Sequence, residues 1–260
     1  SFISVMNGYR HDKWFKINKK LWLNNKKKLY GDYFFVLNKY YIPKYQNLIN
    51  SEFNLLGHFR NNSVKISNTK FHGQFLYISQ TWEEKEDINF HIKLLSFINL
   101  YLSRSNKKIH ILLRRTTKNK LLKDEIDFYK KIFQSNCVLH QIDEWKKKYK
   151  LIDNYENIIF TLSTMGYEAI ARKKKVAIFT PKTINGLRFH PGWPAPYQKK
   201  INFFSTQNLT YNTVKKVLQN INNCSQTNWN KNYYSVIQDW LHYDDKNRSL
   251  EKVINNLIHY

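Results

Sequence analysis

Glycine and proline are scarce in this 260-residue chain, at 7 and 5 residues, which excludes collagen-like and low-complexity architectures. Long apolar runs are absent too. None approaches the roughly 18–20 residues of a membrane-spanning helix. There are two cysteines, Cys137 and Cys224, too few and too far apart for a disulfide framework or a zinc spacing, so a reducing compartment is the simplest reading. Acidic residues are sparse as well: 19 Asp and Glu face 43 Lys and Arg, a formal charge of +24. What is present is 42% hydrophobic and 16% aromatic residues, enough for one large or two small packed domains.

The basic excess points to an anionic partner, but its composition narrows the choice. Lys outnumbers Arg by 35 to 8, alongside 31 Asn, 18 Tyr and 17 Phe, the profile of an A- and T-rich coding background. A specific reader of nucleic acid leans on the planar, bidentate Arg fork instead. A nucleic-acid-binding protein is therefore the weaker alternative, and no nucleic-acid partner is expected. The runs Lys26–Lys28, Lys146–Lys148 and Lys173–Lys175 read as solvated, and together they offer a surface for peripheral contact with an anionic membrane. The chain opens with Ser1 on an apolar run, Phe2 to Met6, without the charged region and cleavage site of a signal peptide, and so reads as starting inside a domain. The expected location is cytoplasmic, at most peripheral to the inner face of the membrane.

Short apolar runs alternate with amphipathic stretches, the pattern of βα units in an α/β fold. Strands are expected at 2–6, 33–37, 53–56, 75–79, 109–113, 137–142, 158–162 and 176–179. Helices are expected around 43–50, at 86–103 with Ile88, Ile92, Leu95 and Leu102 on its buried stripe, at 121–134, from Met165, and at 210–222, 232–241 and 249–259. The polar stretch with Gly57, Gly73 and Asn61-Asn62-Ser63 reads as an interdomain linker. The division expected is 1–60, the C-terminal portion of one Rossmann-like domain; 61–74, linker; and 75–260, a nucleotide-binding Rossmann-like domain with C-terminal helices packing back toward 1–60.

In such folds ligands bind beyond the carboxyl ends of the strands. The most specific segment there is Ile158 to Ala171, in which a buried strand ends in Ser163-Thr164-Met165-Gly166 and a helix begins that carries Glu168 in its first turn. Hydroxyls and amides at a helix start favour an anion, so Ser163, Thr164 and the Gly166 amide can cradle a phosphate, and Glu168 can accept hydrogen bonds from a ribose diol. The same residues also suit a plain N-cap with a dipole-compensating carboxylate. Arg114 and Arg115 follow the strand 109–113, and since neighbours at a strand end face opposite ways, Arg114 is taken as the phosphate contact.

This segment, with Asn7-Gly8, Asp32 to Phe35, Leu56 to Asn62, Leu76 to Gln80 and Gly192-Trp193-Pro194, resembles bacterial surface-carbohydrate biosynthesis proteins. These are GT-B glycosyltransferases distantly similar to the retaining Kdo transferases and the CDP-glycerol glycerophosphotransferases. The resemblance spans nearly the whole chain. It implies two Rossmann-type lobes, the N-terminal one incomplete here, and transfer of a sugar from a nucleotide-activated donor, CMP- or UDP-linked, to a surface polysaccharide or lipopolysaccharide acceptor, glycan or lipid-linked. No metal and no cofactor are implied. Ser79, Gln80, Arg114, Ser163, Thr164, Met165, Gly166 and Glu168 would bind the donor, Asn7, Gly8, Arg10 and Arg60 would line an interdomain cleft, and His11 and Asp12 are the acid/base candidates. Transfer of glycerol or ribitol phosphate from a CDP donor is the alternative activity. Two departures stand out: the family's longer N-terminal domain is missing, and Ile201-Asn202-Phe203-Phe204 replaces a glycine-containing aromatic turn.

Overall fold

The computed structural model describes residues 1–6, 28–80, 85–184, 187–188, 202–238 and 241–258. They form two compact units, Ser1–Lys65 with Ser235–Tyr260, and Ile66–Tyr234. The last segments therefore group with the first unit, whereas the sequence division placed them in 75–260.

The first unit holds three parallel strands, β1 (Ile3–Val5), β2 (Leu29–Val36) and β3 (Ile49–Leu55), side by side in that order. Alternation along β2 separates two cores. Val36, Leu37, Tyr41, Tyr45, Leu48 and Ile49 pack with Phe34 and Phe53. Phe35 and Leu56 pack with Leu250, Val253 and Leu257 of the C-terminal helix Arg248–Ile258. The expected linker is more ordered than its polarity suggests. A single turn of helix spans Phe59–Asn62, and Asn62 is fully buried. Its Nδ2 donates to the Leu56 carbonyl (2.6 Å) and to Asn247 Oδ1 (3.0 Å), while its Oδ1 accepts the Asp244 amide (3.1 Å). Gly57, at φ +75°, lies so close to the same C-terminal segment that a Cβ would sit 2.3 Å from the His242 carbonyl oxygen.

The second unit is a six-stranded parallel sheet in which the short strand Ser205–Thr206 is followed by β8 (Lys175–Phe179), β7 (Tyr155–Phe160), β4 (Phe71–Ile78), β5 (Ile109–Leu112) and β6 (Cys137–His140). The chain runs outward from β4 to β6, returns across the sheet to β7, and then runs outward the other way. The order reverses between β4 and β7, the position at which such sheets open a crevice. Helices α1 (Lys85–Ser103), α2 (Leu122–Phe133), α3 (Trp145–Asn154), α4 (Thr164–Ala171) and α5 (Tyr211–Asn223) connect and cover the strands. The fold is α/β, as the alternation of elements implies, and each unit carries a parallel sheet, as the resemblance to GT-B proteins implies.

Details differ where side chains answer to the tertiary structure. Helix α3 lies in a stretch where no helix was expected. The buried stripe of α1 runs through His91, Leu94, Leu95, Ile98 and Leu102, leaving Ile92 exposed. Within the expected helix at 232–241, a π-helical turn, Asn230–Tyr234, leads into the helix Ser235–Ile237, and residues 239–240 lie outside the described residues. The run Lys173–Lys175 is not a solvated patch: Lys174 donates to the Asp153 carbonyl and to Thr69, and Lys175 pairs with Glu156 at 2.8 Å and donates to the Cys224 carbonyl. Burial lowers the Lys174 pKa to about 8. Lys148 is likewise turned inward, to the carbonyls of Leu113 and Arg114.

Candidate functional site

The carboxyl ends of β4 and β5 are fastened by one carboxylate. Glu125, buried in the first turn of α2, accepts the backbone N–H groups of Arg114 and Arg115, each at 3.0 Å, and the hydroxyl of Ser79. Ser79 in turn accepts the Tyr129 hydroxyl at 2.9 Å. Two successive amides at a strand end form a concavity suited to an anion, and here the protein's own Glu125 fills it. Ser79 is thus a buried structural link. Arg114 is exposed, its backbone held by Glu125 and Lys148, while Arg115 lines a cavity of about 210 Å³ and donates to Asn119.

The turn between β7 and α4 faces the point where the strand order reverses. Gln80, at the end of β4, accepts the Leu162 amide (3.1 Å) and the Thr161 hydroxyl (3.5 Å) through Oε1, tying the two central strand ends together. Ser163 is the N-cap residue, in extended conformation, but its hydroxyl makes no capping bond. Thr164 is exposed and Met165 half-buried. The Gly166 amide is not a donor for an anion, because it is engaged by the Ser163 carbonyl at 3.0 Å, as is that of Tyr167 at 3.3 Å. Glycine is needed there for packing: a Cβ at Gly166 would fall 2.1–2.5 Å from the Phe160 ring. The donors at this helix start are the amides of Thr164 and Met165 and the hydroxyls of Ser163 and Thr164.

Glu168 is the fifth residue of α4, beyond the first turn, so the expected first-turn carboxylate that compensates the helix dipole is not found. It is buried and accepts the Tyr149 hydroxyl from α3 at 2.5 Å. The Tyr149 ring lies 5.5 Å from the guanidinium of Arg172, which forms a fully buried ion pair with Asp153 (2.5 and 2.8 Å). Helices α3 and α4 are joined through this cluster, whose members other than Glu168 escaped the sequence reading. A Glu-x-x-x-Arg pair on one helix face was the available signal.

Arg60 is exposed, the second residue of its short helical turn in the first unit. Asn7, Gly8, Arg10, His11 and Asp12 lie outside the described residues, as do Lys26 and Lys27 and the loop with Gly192-Trp193-Pro194. Among the described residues no group of three His, Cys, Asp or Glu side chains could hold a metal ion, and no helix is long and apolar enough to cross a membrane.

Three solved structures share this fold. A variant of TarM from S. aureus, in complex with Fondaparinux, alpha-GlcNAc-glycerol and UDP, is 19% identical with a TM-score of 0.51, over 97% of this chain and 50% of that one. The pneumococcal O-GlcNAc transferase GtfA, in complex with UDP and GlcNAc, is 10% identical with a TM-score of 0.50, over 99% and 53%. The wall teichoic acid polymerase TagF, as an H444N variant with CDPG, is 14% identical with a TM-score of 0.51, over 94% and 59%. The chain thus spans about half the length of these proteins. No curated protein matches the sequence. A family model described as "putative O-antigen biosynthesis protein" matches residues 91–258, from within α1 to the last helix and across every element of the candidate site except the end of β4. The chain belongs to this O-antigen biosynthesis family.

Proposed function

We propose that the chain belongs to a metal-independent GT-B glycosyltransferase, which transfers a sugar from a UDP- or CMP-linked donor to a surface polysaccharide or lipopolysaccharide acceptor. The observation that carries this reading is the start of α4: a helix N-terminus with the Thr164 and Met165 amides and two hydroxyls, set at the reversal of strand order in a parallel sheet. As the glycosidic bond breaks, negative charge grows on the departing phosphate. Preorganised dipoles aimed at developing charge supply the largest share of such catalysis. Glu168, five residues past Ser163, is the group for the nucleotide ribose. Arg60 belongs to the acceptor-side unit, with His11 and Asp12 as its acid/base pair. The exposed Lys146 and Lys147 suit peripheral contact with anionic lipid.

The likeness to TagF favours one second reading, transfer of a polyol phosphate from a CDP donor, which would use the same helix start. A thermal-shift panel of CMP, CDP, UDP, GDP and their sugar and glycerol derivatives tests both readings. Stabilisation by UDP- or CMP-sugars, with a glycosylated product, supports the first; a product carrying glycerol phosphate supports the second. No stabilisation by any nucleotide overturns both.

A further inference from the structure

The cavity between α1 and α2 lies beside the candidate donor turn but has a different chemistry. Its volume is about 210 Å³, and its aromatic surface is the half-buried Phe128 ring, backed by the buried rings of His91 and Tyr129 at centroid separations of 5.3–6.2 Å. The rim carries hydrogen-bonding groups of both kinds: the exposed carboxylate of Asp124, the Arg115 guanidinium and the Gln80 carboxamide. Because the Gln80 Oε1 is turned to Leu162, its Nε2 is the group available to donate. His91 is buried, and burial lowers its pKa to about 3, so its ring is uncharged.

An aromatic floor with a rim of planar donors and a carboxylate acceptor suits a ring that has one C–H face and an equator of hydroxyls. The volume falls below the about 300–1,000 Å³ of sites for larger ligands, leaving room for one ring and none for a nucleotide diphosphate. Asp124 and the buried Glu125 beside it disfavour a phosphate further. We infer that this cavity is a subsite, carried by the donor-side unit and additional to the acceptor-side unit of residues 1–60, for one neutral pyranose of the acceptor glycan. Gln80 makes the subsite communicate with the donor turn, since the carboxamide that would touch the sugar also holds the Leu162 amide one residue before the Ser163 cap. Sugar recognition itself follows from the lining, while its assignment to the acceptor rests on the transferase reading above.

Saturation-transfer NMR of the whole chain with methyl pyranosides of glucose, galactose, rhamnose and N-acetylglucosamine tests the inference. Transfer to ring protons of at least one glycoside is expected, persisting in excess UDP. Asp124→Ala, at an exposed position, should weaken it about tenfold or more at an unchanged melting temperature. Phe128→Ala should abolish it; if that variant does not fold, Asp124→Ala alone carries the test. The inference is overturned if no glycoside shows transfer, if excess UDP displaces the glycoside, or if Asp124→Ala binds as the unaltered protein does. Glycoside binding without any nucleotide binding would remove the transferase reading and leave the sugar subsite standing.

Discussion

The hydroxyl of Tyr149 donates to Oε2 of Glu168 at 2.5 Å, and both side chains are buried. A carboxylate held in one orientation by a neighbouring helix is prepared for a second, directional partner, as a ribose diol would be. Glu168→Gln keeps an oxygen that can accept from Tyr149 but loses the charge. Charge-assisted hydrogen bonds contribute about 1.5–3 kcal/mol, so nucleotide affinity should fall about ten- to a hundredfold with little change in melting temperature. Calorimetric titration and a melting curve on the same variant check this. Unchanged affinity with a lowered melting temperature would make Glu168 a packing residue.

Gly166→Ala places a methyl group against the Phe160 ring, at distances no real Cβ adopts. Overpacking of this kind costs about 1–3 kcal/mol, and the denaturation midpoint should drop accordingly. Combining it with Phe160→Leu should restore part of the loss. A double variant no more stable than Gly166→Ala alone would show that the ring is not the obstacle.

Asp153→Asn leaves the fully buried Arg172 guanidinium without its counter-charge. Removing one member of a buried pair costs about 3–5 kcal/mol, which urea unfolding of the variant should register. Asp153→Asn with Arg172→Met should be more stable than Asp153→Asn alone, because no guanidinium then remains buried without its carboxylate.

His110 and His140 meet at 3.0 Å beside the Tyr155 hydroxyl. Burial, then the neighbouring His140 and Lys108, lowers the His110 pKa to about 4, and burial also lowers that of His140. Between the ordinary histidine pKa of about 6.5 and about 4, the unfolded chain binds protons that the folded chain refuses, so stability must fall as pH falls through this window. Melting temperature followed over that range should decline, and His110→Gln should decline less steeply. Parallel profiles for the two proteins would contradict the assignment.

The strands and long helices were legible in the sequence, because alternation and three-to-four spacing survive wherever an element has one buried side. The helix start at Ser163 was legible for the same reason: a buried strand stops and hydroxyls follow. Lys174 and Lys175 were not. They enter a strand covered on both faces, where no alternation marks burial, and their partners Asp153, Glu156 and Cys224 are 19 to 49 residues away in the chain. Glu125 was hidden differently, since an acidic residue in a helix's first turn is explained locally by the dipole, and only the folded backbone shows the Arg114 and Arg115 amides closing on it.

Asn62 reaches Asn247 across 185 positions of sequence, and the apolar face around Phe35 and Leu56 is covered by Val253 and its neighbours. During synthesis, residues 1–65 leave the ribosome before the contiguous second unit, and their covering helix leaves after it. The second unit, contiguous from Ile66 to Tyr234, can complete its sheet while the first still waits with an uncovered apolar face. Closing so long a loop is entropically mild, because the cost grows only logarithmically with length. The delay is one of translation time, at roughly 5–20 residues per second. Strands β1 to β3 are therefore held without their apolar cover for the whole time that the second unit takes to be made.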